Sequence, residues 1–145
     1  MTARMARFGK HQRGVAAVEF ALIAVLVFFS LLIGIMEMGR VLFYWNTAVE
    51  ATRLGARIAV VCDIGDGIIK TKMNSFFPII PVDAISVSYT PSGCTVNTCS
   101  EVTVAVSGIT VDTVIPYVPF TVTMPGFATT LTRESLSSAG NPVCS

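Results

Sequence analysis

The chain has 145 residues, which is enough for one domain with an anchor and too few for two sizeable cores. Charged residues make up 13% of it, against about a quarter in an ordinary globular protein, while apolar residues reach 52%. The formal net charge is only +1, so the chain as a whole is not the strongly basic kind that binds nucleic acid.

The apolar residues are concentrated near the N-terminus. Residues 20–36, "FALIAVLVFFSLLIGIM", carry no charge, and "VAAVE" precedes them. Together they form an apolar segment of about 20 residues, which at about 1.5 Å per residue matches a hydrocarbon core of about 30 Å. The sequence therefore predicts a transmembrane helix over residues 15–36.

A basic run precedes this segment, and no acid occurs before Glu19. The positive-inside bias predicts a single-pass protein with a cytoplasmic N-terminus and a C-terminal part beyond the membrane. Because the basic run is short and abuts the predicted span, we expect membrane topology to explain it and expect no nucleic-acid partner. The run comprises Arg4, Arg7, Lys10 and Arg13, with His11 beside them.

The helical pattern continues past the predicted membrane segment. No proline occurs over residues 37–61, which predicts an amphipathic extension of the helix. Charged side chains fall on the side opposite a stripe of apolar residues that recur every three or four positions, with Thr52 inside the stripe. The stripe consists of Val41, Leu42, Trp45, Ala48, Val49, Ala56, Ala59 and Val60.

Residues 62–145 predict a head rich in β-strands. "DIGDGIIK" indicates a turn-rich exit from the helix, and Pro78 and Pro81 exclude a long helix after it. The short β-branched runs that follow are typical of antiparallel strands: "AISVSYT", "EVTVAVS", "ITVDTVI", "FTVTM" and "ATTLTRES". We predict an α+β fold in which a small antiparallel sheet with one solvated face packs on the apolar stripe of residues 41–60.

Four cysteines, Cys62, Cys94, Cys99 and Cys144, follow the predicted span. In an oxidising compartment they can form disulfides, and three pairings are open. A bridge between Cys94 and Cys99 across a hairpin end is one option, and it would leave Cys62 to pair with Cys144. Zinc is the competing interpretation, but the only histidine precedes the span, so we expect no metal site.

The predicted head contains no recognisable catalytic constellation. It has no histidine, no glycine-rich phosphate loop after a strand, and no serine in a nucleophile-elbow pattern. Asp63 and Asp66 could suggest calcium, but "DIGDG" lacks the remaining ligands of a calcium loop, so we interpret it as a solvated turn. We therefore predict that the protein is not an enzyme and has no cofactor.

Glu19 is the unusual residue of the predicted span, because a carboxylate inside a bilayer is costly. In one interpretation the segment is a plain signal anchor, and Glu19 reaches water at the cytoplasmic interface. A removed signal peptide is disfavoured, because "IMEMGRVLFYW" after the apolar core has no small-residue cleavage pattern.

A basic leader that ends in Gly14, followed by small residues and a glutamate at the fifth position, resembles the N-terminus of type IV pilin-like proteins. More narrowly, "RGVAAVEFALI", "GIMEMGRVLFYW" and "ATRLGARIAVV" are together similar to TadE-like proteins, the minor pilins or pseudopilins of tight-adherence (Flp-type) pilus systems. The resemblance extends over residues 13–61 and is weak in the head. Val25 departs from it, since many relatives have proline there.

The resemblance implies a bacterial inner-membrane protein that helps to assemble a pilus used in surface adhesion. Its implied partners are a prepilin peptidase, other pilin-like subunits, the pilus assembly platform and membrane lipid. The peptidase would cut between Gly14 and Val15 and remove residues 1–14 as a cytoplasmic leader.

After the cut, Glu19 would pair with the new α-amine of Val15 on a neighbouring subunit; the pKa of such an amine in a short peptide is about 8. A self-pair within one helix is the alternative, because the two residues are four apart. A second class of function also stays open, that of an uncleaved, membrane-anchored binding module whose head recognises a ligand or partner.

Overall fold

The computed structural model describes residues 12–115 and 120–145. The chain divides after Arg40 into two compact units, which are described separately below. Most of the predicted leader, including Arg4, Arg7, Lys10 and His11, lies outside the described residues.

The described part of the first unit is helical throughout. Helix α1 (Gln12–Ile23) passes into a π-helical segment (Ala24–Phe29), and helix α2 (Ser30–Ala59) begins directly after it. Val25 lies inside the π-helical segment, and the Ser30 hydroxyl donates a hydrogen bond to the Leu26 carbonyl at its end. Over residues 14–36 the side chains are exposed on every side except at the half-buried Ala24, as expected for a helix whose surroundings are lipid.

In the second unit, α2 packs through a face of small residues. Thr52 is the only buried polar side chain among the described residues, and its hydroxyl donates to the Ala48 carbonyl at 2.8 Å. The predicted stripe was partly wrong, because Leu42 is 54% exposed and Trp45 37% exposed. The other part of the stripe is confirmed, because Ala48, Thr52, Ala56 and Ala59 are buried, and Ala51 and Gly55, which also allow close approach, join them on the buried face.

Helix α3 (Ile68–Phe76) was not predicted, and it begins inside "DIGDGIIK", whose pattern indicated a turn-rich exit. Its first residue donates its backbone N–H to the Asp66 carboxylate at 3.0 Å, which satisfies one of the donors that a helix start leaves free. Ile69 and Met73, four residues apart, are buried together on the face that meets α2. The approach is so close that a Cβ at Gly55 would lie 2.2 Å from the Met73 sulfur.

The predicted antiparallel sheet is confirmed. Strands β1 (Ile85–Thr90), β2 (Glu101–Val106) and β5 (Phe127–Thr132) form a three-stranded sheet in the order β1-β2-β5, and β3 (Thr110–Asp112) pairs with β4 (Thr121–Thr123) in a separate hairpin. In register, Val87 faces Val104, which faces Thr129.

The sheet has the predicted division into a buried and a solvated face. Alternate residues of β2 are buried, while the opposite face carries serine and threonine, including a hydroxyl–hydroxyl contact of 2.8 Å between Thr103 and Thr130. Val102, Val104 and Val106 enter the same core as the small face of α2. The α+β class with a long N-terminal apolar helix is therefore confirmed.

Candidate processing and assembly segment

The three residues predicted to act in processing and assembly lie together on α1. Gly14 and Val15 both lie on α1, so the predicted cleavage point is within helical backbone. No described atom lies within 4 Å of the position that a Cβ at Gly14 would occupy, and the Val15 side chain is 59% exposed. The segment is thus open to another protein along its whole surface.

Val15 and Glu19 are one turn apart on the same face of α1, about 5–6 Å between Cβ atoms. The salt bridges of the described residues join Arg40 to Glu37 at 2.7 Å and Arg53 to Glu50 at 2.6 Å, and neither involves Glu19. In the uncut chain Val15 has a peptide nitrogen and no ammonium group. The partner predicted for Glu19 therefore exists only after cleavage.

The surroundings of Glu19 are apolar. The helical stretch Gly14–Ala59 is long and apolar enough to cross a membrane, and none of its most apolar part is buried. Glu19 is the only charged residue in positions 14–36. A carboxylate in such a setting gains from any cation that reaches it, because the attraction between charges grows as the dielectric constant falls.

The four cysteines belong to the second unit, and all of them are paired. Cys94 bonds to Cys99 in the turn between β1 and β2, with a Cα–Cα distance of 5.0 Å. Cys62 bonds to Cys144, with a Cα–Cα distance of 5.6 Å, and so ties the chain end to the end of α2. These two bonds are the pairing expected if Cys94 and Cys99 form a bridge across the end of a hairpin.

The C-terminal tail also binds the end of α2 through hydrogen bonds. The backbone N–H groups of Glu134 and Leu136 donate to the Val60 carbonyl at 3.1 and 3.2 Å, and that of Ser137 donates to the Val61 carbonyl at 2.9 Å. These bonds satisfy carbonyls that a helix end leaves without intrahelical partners.

Asp63 and Asp66 belong to this same attachment. The Ser138 hydroxyl donates to the Asp66 carboxylate at 3.0 Å, and the Ser138 N–H donates to the Asp63 carboxylate at 3.2 Å. The interpretation of "DIGDG" as a mere solvated turn was therefore incomplete. Nothing in the sequence pairs these acids with Ser138, because 75 and 72 residues separate them from it. Within residues 12–115 and 120–145, no group of three or more metal-ligating side chains could hold an ion.

A shallow groove lies between this turn and strand β1. It is lined by the start of α3 and by β1 side chains, among them Lys70, Ser86 and Tyr89. Burial raises the pKa of the Tyr89 phenol above its usual value, and the nearby Asp66 carboxylate raises it further. The Gly65 N–H, which donates to the phenol oxygen at 3.3 Å, opposes this rise.

Residues 14–57 match the protein-family model described as "TadE: TadE-like protein". This segment is TadE-like. The match begins at Gly14, includes Val15 and Glu19, and extends into the buried part of α2, so the resemblance inferred from the sequence motifs is confirmed there. The β-strands and all four cysteines follow the TadE-like segment. No curated protein and no solved structure matches the chain.

Proposed function

We propose that this protein is a minor pilin or pseudopilin-like structural component, without enzymatic activity, that is needed to assemble a tight-adherence pilus used in surface adhesion. The observation that carries the proposal is the position of the TadE-like match, which starts at Gly14 and contains Glu19. The family suggests a role in systems of this kind. The particular role rests on the chemistry of the N-terminal segment.

The first step is removal of the leader by a prepilin peptidase between Gly14 and Val15. A peptidase must bind an extended backbone, so α1 must open around Gly14. Glycine favours that opening, because it disfavours a helix by about 1 kcal/mol relative to alanine. Gly14 also has no Cβ to obstruct close contact with the enzyme.

The second step is assembly through Glu19. Cleavage creates a positively charged amine at Val15, and that charge is costly in lipid unless a carboxylate meets it. In the proposed assembly, the amine of one subunit pairs with Glu19 of its neighbour, which favours packed subunits over isolated ones. Pairing within a single helix is the competing arrangement.

The test of this step is substitution of Glu19 by alanine and by glutamine in the native host. We expect normal amounts of processed protein in the membrane together with poor pilus formation, poor adherence and weaker crosslinking to other pilin-like subunits. Without the acid, the Val15 amine is left unpaired wherever subunits pack. Glu50→Ala is the matched control, because Glu50 is an exposed acid of α2 outside the apolar segment, and it should leave pilus formation intact. Wild-type pilus formation by Glu19→Ala would refute the assembly role.

The processing step has its own test. Gly14→Asp or Gly14→Lys should block cleavage, because a bulky charged side chain would not fit a site that accepts glycine. Immunoblots with and without the peptidase should show a mass difference of about 14 residues for the wild type and none for the Gly14 variants, from the predicted cut after Gly14. Gly9→Lys, elsewhere in the leader, is the control and should still be cut. An unchanged mass for wild-type protein in the two strains would contradict processing.

The proposed location is the bacterial inner membrane, with a single span, a cytoplasmic N-terminus and the head in the periplasm or outside the cell. Two features support it, namely the basic residues before the span and the two disulfides after it. In a strain without the peptidase, where an N-terminal tag is retained, a protease added to the outer face of spheroplasts should digest the head and spare the tag. Digestion of the tag with protection of the head would reverse the topology.

An uncleaved anchored binding module is the second candidate function. The groove beside β1 favours it, because Lys70 and Ser86 supply polar groups next to the apolar side chain of Ile85. N-terminal sequencing of protein purified from host membranes separates the two candidates. A start at Val15 supports the pilin-like component, and a retained Met1 supports the binding module.

A further inference from the structure

The turn between α3 and β1 exposes apolar side chains that the core does not explain. Residues 76–82, "FFPIIPV", are seven consecutive apolar residues, here termed the apolar turn. Phe77 and Ile80 are 6% and 0% exposed and belong to the core, whereas Phe76, Ile79 and Val82 are 51%, 38% and 43% exposed. Large apolar side chains that are exposed close together are unfavourable in water, and such patches mark interaction surfaces in natural proteins.

The apolar turn is held in a defined conformation. The Asn74 amide donates to the Ile80 carbonyl at 2.8 Å, and the Ile80 N–H donates to the Phe77 carbonyl at 3.0 Å. With Phe77 and Ile80 fixed in the core, the residues between and beside them are directed outward. The exposure of Ile79 therefore follows from the fold of the turn.

The apolar turn lies at the end of the second unit where that unit's chain begins. The Phe77 ring is 5.8 Å from the Tyr44 ring, and the Trp45 ring is 5.3 Å from that of Phe127 at the same end of the sheet. Two further large apolar side chains of this part of α2 are exposed, Leu42 by 54% and Phe43 by 64%. The opposite end of the unit holds the C-terminal tail and the Cys94–Cys99 turn.

This end is also the one nearest to the membrane along the chain. Phe43 follows Met36, the last residue of the uncharged run, by seven helical residues, or about 10 Å. Helical side chains point back toward the N-terminus, so those of Leu42 and Phe43 are directed toward the N-terminal end of α2. The headgroup layer beyond the hydrocarbon core is about 5–8 Å thick on each side, which is comparable with this distance along the chain.

We propose that the apolar turn, together with Leu42 and Phe43, is a lipid-binding surface that rests in the headgroup layer of the membrane crossed by residues 15–36. The proposal rests on the membrane location given above and does not depend on a role in a pilus. Aromatic and aliphatic side chains at this depth are typical of proteins that contact the interface. Lys72, one turn before Phe76 on α3, adds a cation suited to lipid phosphate.

One consequence concerns assembly. A subunit whose head contacts lipid through the apolar turn must remove those side chains from the membrane before it can enter a filament. The lipid contact would therefore hold unassembled subunits at the membrane surface.

The test uses the full-length protein in lipid nanodiscs with one chain per disc, so that lipid is the only neighbour. Ile79→Cys is compared with Val96→Cys, since Ile79 and Val96 are 38% and 40% exposed and lie at opposite ends of the unit. The four native cysteines are disulfide-bonded, so an environment-sensitive fluorophore labels the introduced thiol alone. The discs contain lipids with a nitroxide quencher near the headgroup.

We expect a blue-shifted emission and loss of most of the intensity for the label at position 79, with neither change at position 96. Val82→Cys gives an independent second site in the same turn, and Trp45 emission verifies that each variant is folded. Equal quenching at positions 79 and 96 would overturn the proposal. Discs that hold several chains provide a further comparison. If the label at position 79 is quenched or blue-shifted only in those discs, the proposal is overturned, because the apolar turn would then contact a second copy of the protein and not lipid. The readout needs neither peptidase nor pilus, so it can fail while the pilin-like role holds.

Discussion

The two disulfides should differ strongly in what they contribute to the stability of the head, because they close loops of very different length. Cys62 and Cys144 are 82 residues apart, whereas Cys94 and Cys99 are 5 apart. From the loop-closure entropy of the unfolded chain, the longer bridge contributes about 4.5 kcal/mol and the shorter one about 2 kcal/mol. Paired alanine substitutions that remove the long bridge should therefore cost about 2.5 kcal/mol more than those that remove the short one.

The packing terms of the two double variants are matched. Each pair has one fully buried sulfur, since Cys62 is 0% and Cys99 2% exposed, and one half-buried partner. Differences in the free energy of unfolding thus report mainly on loop closure. Trp45, the only tryptophan, packs edge-on against Phe127 of β5 at 5.3 Å, so its fluorescence follows detachment of the sheet from α2.

The assay is urea unfolding of the full-length protein in mild detergent, followed by Trp45 fluorescence. The denaturant slope of each variant shows whether the unfolded states stay comparable. Equal losses for the two double variants, or a larger loss for the Cys94–Cys99 pair, would refute the assignment of the stabilisation to loop length. A wild-type curve that does not move under reductant would refute the contribution of both bridges.

Three further predictions follow from single side chains. Gly55→Leu should destabilise the head by about 1–3 kcal/mol, because the new side chain would overlap with Met73. Gly39→Leu is the control and should not destabilise the head, because no other described side chain lies within 4 Å of that position. The same unfolding curves measure both variants. Glu50→Ala should change stability by less than about 0.5 kcal/mol, because its ion pair with Arg53 is exposed, and a larger loss would show an additional contact. Because the pKa of Tyr89 is raised in the folded state, the neutral phenol's contribution to stability is complete below pH about 10 and is lost as pH rises through the folded-state pKa. Tyr89→Phe should therefore reduce the loss of stability at alkaline pH. An unchanged profile of stability against pH would contradict this.

The sequence predicted the elements whose signal is local. The uncharged run of residues 20–36 and the alternation in "EVTVAVS" each need only a short window, and the structure confirms the helix and the strand that they indicate. Helix α3 was missed because "DIGDG" before it and two prolines after it dominate the pattern. Its signal was the pair Ile69 and Met73, four residues apart and buried on one face.

The exposure of two large residues of the predicted stripe on α2 had a different cause. Large apolar residues such as Leu42 and Trp45 suggested the stripe, yet close packing selects small residues, and the contact between Gly55 and Met73 shows how near the two helices lie. Burial of a glycine cannot be read from hydrophobicity. The attachment of Ser138 to Asp63 could not be predicted either, because it joins residues 75 positions apart.

The packing of the small residues of α2 explains why the TadE-like match extends beyond the apolar span. Residues 14–57 include the apolar span with Glu19 and also most of the small face on which α3 and the sheet pack, with Gly55 and Ala56 near its end. The first part provides what the proposed assembly requires, a helix whose only charge can meet a neighbour's amine. The second part provides a surface that a head can approach closely. Small side chains on α2 determine how closely another element can pack on the helix, but they do not determine which residues that element carries. The matched segment can therefore end at residue 57 and include none of the strands that pack on α2.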